Sequence, residues 1–201
     1  MTTMATTLPR QRPTPSTGPI VSNIRLAMVA LVVGELMLFV GLVGMYLVFR
    51  LQAVEWPPPG QPRLPLALTS VNTLVLLASA LTLLSARRAL QRADIATARR
   101  QVVRTLVLGG TFLAVQGVEW TRLVHHGLTL GSTAYGGAFY LLIGCHALHV
   151  LGGSVLLGLL ARWTGTGRVS EATDARFEAC AIYWAFVVSL WLVLFPLVYL
   201  Y

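Results

Sequence analysis

Residues 135–162, from Tyr135 to Arg162, read YGGAFYLLIGCHALHVLGGSVLLGLLAR, a glycine-rich apolar run that contains two histidines, His146 and His149, and no charge before its terminal arginine. A hydrocarbon core about 30 Å thick takes about 20 apolar residues of helix, so this run reads as a membrane-spanning helix. An unpartnered polar group in hydrocarbon is costly, and the two histidines therefore mark either a functional site or a hydrogen-bonded structural one.

Four further stretches meet the same criterion: Leu26 to Leu51, Leu66 to Ala86, Val102 to Val124 and Phe177 to Leu200. The chain of 201 residues is 56% hydrophobic and only 11% charged, whereas soluble domains carry about 25% charged residues. The expected fold is therefore all-α: a polytopic membrane protein with five transmembrane helices in a single domain over residues 23–201. Residues 1–22 are rich in Thr and Pro without apolar periodicity and read as a disordered cytoplasmic tail. No short apolar segment with a small-residue cleavage site precedes the first span, which is expected to act as its own insertion signal.

A net charge of +8 would suggest nucleic acid in a soluble chain, but here all fifteen basic residues are arginines whose positions follow the parity of the connections. Arg10, Arg12 and Arg25 precede the first span; Arg87, Arg88, Arg92, Arg99, Arg100 and Arg104 surround the second connection; Arg162, Arg168 and Arg176 surround the fourth. Only Arg50, Arg63 and Arg122 fall on the other side. The positive-inside rule then puts the N-terminus in the cytoplasm and the C-terminus outside, as an odd number of spans requires. No nucleic-acid partner is expected.

The first outer connection, with Pro57, Pro58, Pro59 and Pro62, cannot be helical, because proline removes amide donors and clashes with the preceding turn. The Ala-, Gln- and Arg-rich second connection predicts a basic helical hairpin, read as a solvated topogenic loop or a contact for anionic headgroups. Span four carries Gly137, Cys145 and Gly153 at eight-residue intervals beside Gly136, Gly144 and Gly152, spacing that lets helix backbones approach closely. Pro196 should kink the end of span five. Trp120 and Tyr135 flank the third connection like an interfacial aromatic belt.

Glu35 lies ten residues after Arg25, on a face with Met28, Leu31, Leu38, Leu42 and Tyr46, while His149 lies thirteen residues before Arg162. At 1.5 Å per residue their depths agree within roughly 5 Å, so a hydrogen bond between the first and fourth helices is expected, with Glu35, His146 and His149 as an internal polar cluster. Gln116, Glu119 and Arg122 recur every three residues on span three, predicting a structural ion pair between Glu119 and Arg122. Glu178 is expected near the start of the fifth helix, as a cap or as a lipid or partner contact.

Two histidines three apart on one helix cannot supply both axial ligands of one haem, and His125 and His126 are in the wrong place to complete a second pair. There is no HExxH, no zinc-like Cys/His spacing, no phosphate loop and no nucleophile elbow. Cys145 and Cys180 read as small packing residues. No catalytic residue and no metal ligand is expected in this chain.

Several segments together resemble subunit III of the haem-copper respiratory oxidases in its five-helix form. Gly34-Glu35-Leu36-Met37-Leu38-Phe39 is similar to the family's Ser-Glu-Val-Met-Phe-Phe, and Val71-Asn72-Thr73 to its Leu-Asn-Thr. Gln116-Gly117-Val118-Glu119-Trp120 resembles Gln-x-x-Glu-Tyr, and Gly144-Cys145-His146-Ala147-Leu148-His149-Val150 resembles Gly-Phe-His-Gly-Leu-His-Val. Phe177-Glu178-Ala179-Cys180-Ala181-Ile182-Tyr183-Trp184 resembles Phe-Glu-Ala-Ala-Ala-Trp-Tyr-Trp, but Ala185 and Val188 stand where the family continues with His and Asp.

The resemblance implies an accessory, non-redox subunit of a terminal oxidase of aerobic respiration in a bacterial cytoplasmic membrane. By the same resemblance, haem and copper reside in the catalytic subunit I, subunit II completes the complex, and phospholipid binds between the helices, with Arg168 and Arg176 as phosphate contacts. Glu35 would take the place of the family's carbodiimide-reactive carboxyl in supporting proton uptake. A cytochrome c oxidase is the first reading; a quinol oxidase subunit or an accessory protein of nitric oxide reductase is the alternative. From other classes, a self-contained haem or quinone enzyme would use the histidines, and a small transporter would use Glu35.

Overall fold

The computed structural model describes residues 23–60, 64–164 and 171–200. The expected disordered tail, Arg63 and the phosphate contact expected at Arg168 lie outside the described residues. The described residues form α1 (Asn23–Gln52), α2 (Leu66–Gln91), α3 (Ile95–His125), α4 (Ala134–Thr164) and α5 (Glu171–Phe195), and contain no strand. All five are long and apolar enough to cross a membrane.

Along α1 the residues turned inward include Met28, Val32, Glu35, Phe39, Leu42 and Tyr46, a seam with steps of three and four, joined by Val43 and Met45. Leu31 and Leu38, expected beside Glu35, instead point outward, each 47% exposed. The seam packs on α4 and α5 rather than on α2, which follows α1 in sequence. Most of the remaining surface of α1 is open.

Helix α2 turns polar side chains inward beside buried Leu76 and Leu83. Val71, Leu74 and Leu81 face outward, while Thr69, Asn72, Thr73 and Ser79 are buried. Apolar side chains gain little by leaving lipid, so packing and interhelical hydrogen bonds decide which face goes inside. These four residues supply them. Asn72 Nδ2 donates to the carbonyl of Phe112 at 3.0 Å, Trp191 Nε1 donates to Thr73 Oγ1 at 2.9 Å, and Trp184 Nε1 donates to Ser79 Oγ at 3.0 Å. Nearer the arginine-rich end, Thr82 and Thr105 share a 2.8 Å bond between α2 and α3.

The basic hairpin predicted between spans two and three is present. A tight turn over Arg92, Ala93 and Asp94 joins α2 to α3, Ala93 has φ of 58°, and Asp94 accepts from the Thr97 amide at 2.9 Å to cap α3. That bond holds the Asp94 carboxyl below its ordinary range. At the other end of α3, Gly127 takes φ of +88°, a left-handed conformation that only glycine adopts without strain.

Trp184 is the centre of the bundle. Its ring lies so close to α3 and α4 that a Cβ at Gly109 would sit 2.6 Å from it and one at Gly153 would sit 2.8 Å away. Of the glycine columns read in span four, Gly153 together with Gly109 of α3 makes the slot for this indole ring, while Gly136 closes on the backbone at Thr129.

At Pro196 the α-helical ladder of α5 gives way to a wider π-helical turn, Pro196–Leu200, and Arg50 of α1 donates to the carbonyl of Leu197 at 3.3 Å. Tyr135, read as part of an interfacial aromatic belt, is covered by the protein itself, with its ring edge-on to Trp56 at 5.0 Å. The proline-rich connection folds back over the helix ends at this point, and Trp56 Nε1 donates to Tyr46 Oη at 3.3 Å.

Candidate functional site

The depth match between Glu35 and His149 corresponds to a contact. His149 Nε2 lies 2.8 Å from Glu35 Oε2, joining α1 to α4, with the Phe39 ring edge-on to the imidazole at 5.0 Å. His149 Nδ1 lies 2.7 Å from the backbone carbonyl of Cys145. That oxygen can only accept, so Nδ1 carries a hydrogen. Neutral His149 would then present a lone pair to Glu35 at Nε2, and a 2.8 Å contact between a lone pair and a carboxylate would repel. The pair must therefore hold one proton in the shared bond, as carboxylic acid with imidazole or as carboxylate with imidazolium.

The pair lies at the edge of the bundle. The side chains of Glu35 and His149 are 26% and 11% exposed, and the neighbouring Leu36 and Met37 point outward. Part of each side chain is therefore open at the margin of the bundle rather than enclosed in its core.

His146 does not join that pair. It is 1% exposed, stacks on Trp191 with ring centroids 5.0 Å apart, and meets Phe112 edge-on. Neither of its ring nitrogens has a hydrogen-bond partner among the described residues. Three residues advance a helix by about 300°, so two side chains at that spacing diverge by about 60° and can face different neighbours. His149 turns to α1, and His146 to α3 and α5. The expected three-residue cluster is one pair and a separate buried imidazole.

Glu119 likewise departs from expectation. It makes no ion pair with Arg122; it is fully buried and accepts from Thr69 Oγ1 at 2.8 Å and from Tyr199 Oη at 2.7 Å. Gln116 Nε2 donates to the same Tyr199 oxygen at 3.2 Å. The reason is rotational: Glu119 faces α2 and the end of α5, and Arg122, three residues on, is exposed. Sequence reasoning missed Thr69 and Tyr199 here. The polar residues repeating at three- and four-residue steps along α2 were the available signal.

Glu178 does not open a helix, because α5 begins at Glu171. It lies about two turns in and holds Arg25 at 3.2 Å and Arg87 at 3.8 Å, tying α5 to α1 and α2. Arg25, Arg87 and Glu178 rim a cavity of about 400 Å³ whose walls include Leu83, Leu84 and Ile182. Ala185 also lines this cavity, and Val188 is buried in the core. Arg176 is exposed and stacks over Trp163 at 4.6 Å. Both cysteines are unpaired. Among the described residues no three His, Cys, Asp or Glu side chains converge as a metal site would need.

Residues 14–201 match the family described as "Cytochrome c oxidase subunit III". A protein of Mycobacterium leprae described as "Probable cytochrome c oxidase subunit 3" is 41% identical, over 82% of this chain and 81% of its own length. One of Nocardia farcinica with the same description is 40% identical over the same shares. "Cytochrome c oxidase subunit 3" of Synechocystis is 37% identical over 86% of this chain and 73% of its own.

Proposed function

This chain belongs to the cytochrome c oxidase subunit III family, and from that premise we propose how an accessory subunit without redox chemistry serves a haem-copper oxidase. It is a multi-pass membrane protein of five helices. In this reading its partners are the catalytic subunit I, which holds the haem and copper, and subunit II. The complex sits in the bacterial cytoplasmic membrane with the arginine-rich helix ends inside. The electron donor is cytochrome c; a quinol or a nitric-oxide-reducing complex remains the alternative, with Ala185 and Val188 as the departures that keep it open.

The observation that carries the reading is the Glu35 to His149 pair. One proton shared by two titratable groups at the margin of the bundle can be given up and regained locally. We assign the pair the role of supporting proton uptake by the catalytic subunit, with His146 as a packing residue behind it. Exposed Leu36 and Met37 on α1 supply the apolar surface beside it.

For lipid, Arg176 with Arg168 is proposed to contact phosphate. The cavity rimmed by Arg25, Arg87 and Glu178, apolar within and carrying two guanidiniums to one carboxylate at its mouth, is a second place for such a headgroup. Purification of the tagged chain in mild detergent should bring with it a haem-containing subunit and oxygen-consuming activity. A haem spectrum retained by this chain alone would overturn the accessory reading. Glu35→Ala in the intact complex is expected to leave the haem spectrum unchanged while turnover declines over repeated cycles.

A further inference from the structure

We infer that Glu119 is a proton-binding site: its carboxyl is held as the neutral acid at neutral pH, and Oε2 donates the bound proton to Thr69. This site is separate from the Glu35 to His149 pair, and the inference does not rest on the role proposed for that pair.

Burial sets the problem. Glu119 is 0% exposed and lies six residues, or about 9 Å, before the end of α3 at His125. An ionised carboxylate so enclosed is costly unless a cation or several strong donors replace the water it has lost.

The groups packed around it are neutral. Thr69 comes from α2, Tyr199 from the π-helical end of α5, and Gln116, one turn earlier on α3, reaches Tyr199. On the side of α4 the ionisable groups are Tyr135 and Tyr140, which carry no positive charge in either state. Arg122 is exposed, and Arg50 of α1 meets this end of α5 at the carbonyl of Leu197. Among the described residues no ion pair includes Glu119.

The count of hydrogens fits the neutral acid. An ionised carboxylate offers about four lone-pair sites and can only accept. Here one hydroxyl stands at each oxygen, Thr69 Oγ1 at 2.8 Å from Oε2 and Tyr199 Oη at 2.7 Å from Oε1. Thr69 Oγ1 also lies 3.0 Å from the carbonyl of Pro65, which can only accept. A hydroxyl has a single hydrogen. With that of Thr69 given to Pro65, the hydrogen in the contact with Glu119 comes from the carboxyl.

Each hydrogen then serves one acceptor along a directed chain. Gln116 Nε2 donates to Tyr199 Oη, Tyr199 to Glu119 Oε1, Glu119 Oε2 to Thr69 Oγ1, and Thr69 to Pro65. The direction of the 2.8 Å contact with Thr69 thus depends on the proton: an ionised Glu119 accepts there, and the neutral acid donates. Ionised, the buried charge would rest on neutral groups alone.

The test is infrared difference spectroscopy of the intact purified complex at neutral pH, parent minus Glu119→Gln. The Gln amide can accept from Tyr199 and donate to Thr69, so retained co-purification of the partner subunits is expected. The parent should show one carboxylic-acid carbonyl band that the variant lacks. Thr69→Val, which removes the acceptor of the proton, should shift this band to higher frequency without abolishing it, and it gives a second readout if the Gln variant does not assemble. Carboxylate bands in place of the acid band would overturn the proposal, and so would an acid band that neither substitution alters.

Discussion

Tyr199 donates to Glu119 at 2.7 Å across 80 residues of sequence, and this bond anchors the π-helical end of α5 to α3. Thr69 of α2 completes the carboxyl's coordination from the opposite oxygen. Three helices thus meet on one buried acid that has no cation beside it among the described residues.

The consequence for stability is specific. Glu119→Leu should cost about 1–3 kcal/mol, because it leaves the buried Tyr199 hydroxyl without an acceptor, whereas Arg122→Ala should stay within about 0.5 kcal/mol, as an exposed residue outside the network does. Thermal denaturation of both variants in detergent decides between this network and an ion pair. A larger loss from Arg122→Ala than from Glu119→Leu would restore the pair that the sequence suggests.

The Glu35 to His149 bond makes a second prediction. Glu35→Gln keeps a group able to donate to His149 Nε2 and should be milder than Glu35→Ala. A double-mutant cycle between Glu35→Ala and His149→Ala should return a coupling of about 0.5–3 kcal/mol. Strictly additive losses of stability would mean that the two side chains do not support one another.

Gly153 faces Trp184, and Gly117 faces open space. Gly153→Val is therefore expected to destabilise by about 1–3 kcal/mol through overpacking, and Gly117→Ala should be neutral or slightly stabilising as helix propensity improves. Near-ultraviolet circular dichroism of the buried indole gives an independent readout: its signal should change in Gly153→Val and persist in Gly117→Ala.

Glu178 bridges Arg25 and Arg87 at a partly exposed helix end. Glu178→Gln should cost less than about 1 kcal/mol, as exposed ion pairs do, and the difference from the parent should shrink as salt is raised. A loss that salt does not touch would point to packing instead.

Much of the architecture was legible in the sequence because lipid imposes it. Five runs of apolar length had to become helices, since every backbone amide in hydrocarbon needs an internal partner, and the arginines sorted the connections. Matched depth was enough to bring Glu35 and His149 together, since rise per residue is nearly constant in a helix. Family resemblance followed from the same motifs, above all from His146-Ala147-Leu148-His149 and Gln116-Gly117-Val118-Glu119.

The rotation of each helix about its own axis was decided only by the tertiary structure. In a soluble protein the apolar stripe announces which face turns inward, but in lipid an outward leucine and an inward leucine cost nearly the same. The choice passes to a few hydrogen bonds and to side-chain shape. That is why Glu119 turned from Arg122 to Thr69 and Tyr199, why His146 parted from His149 to stack on Trp191, and why Leu31 and Leu38 ended outside. Depth along the helix was written in the sequence; direction around it emerged from which partners the packed bundle could supply.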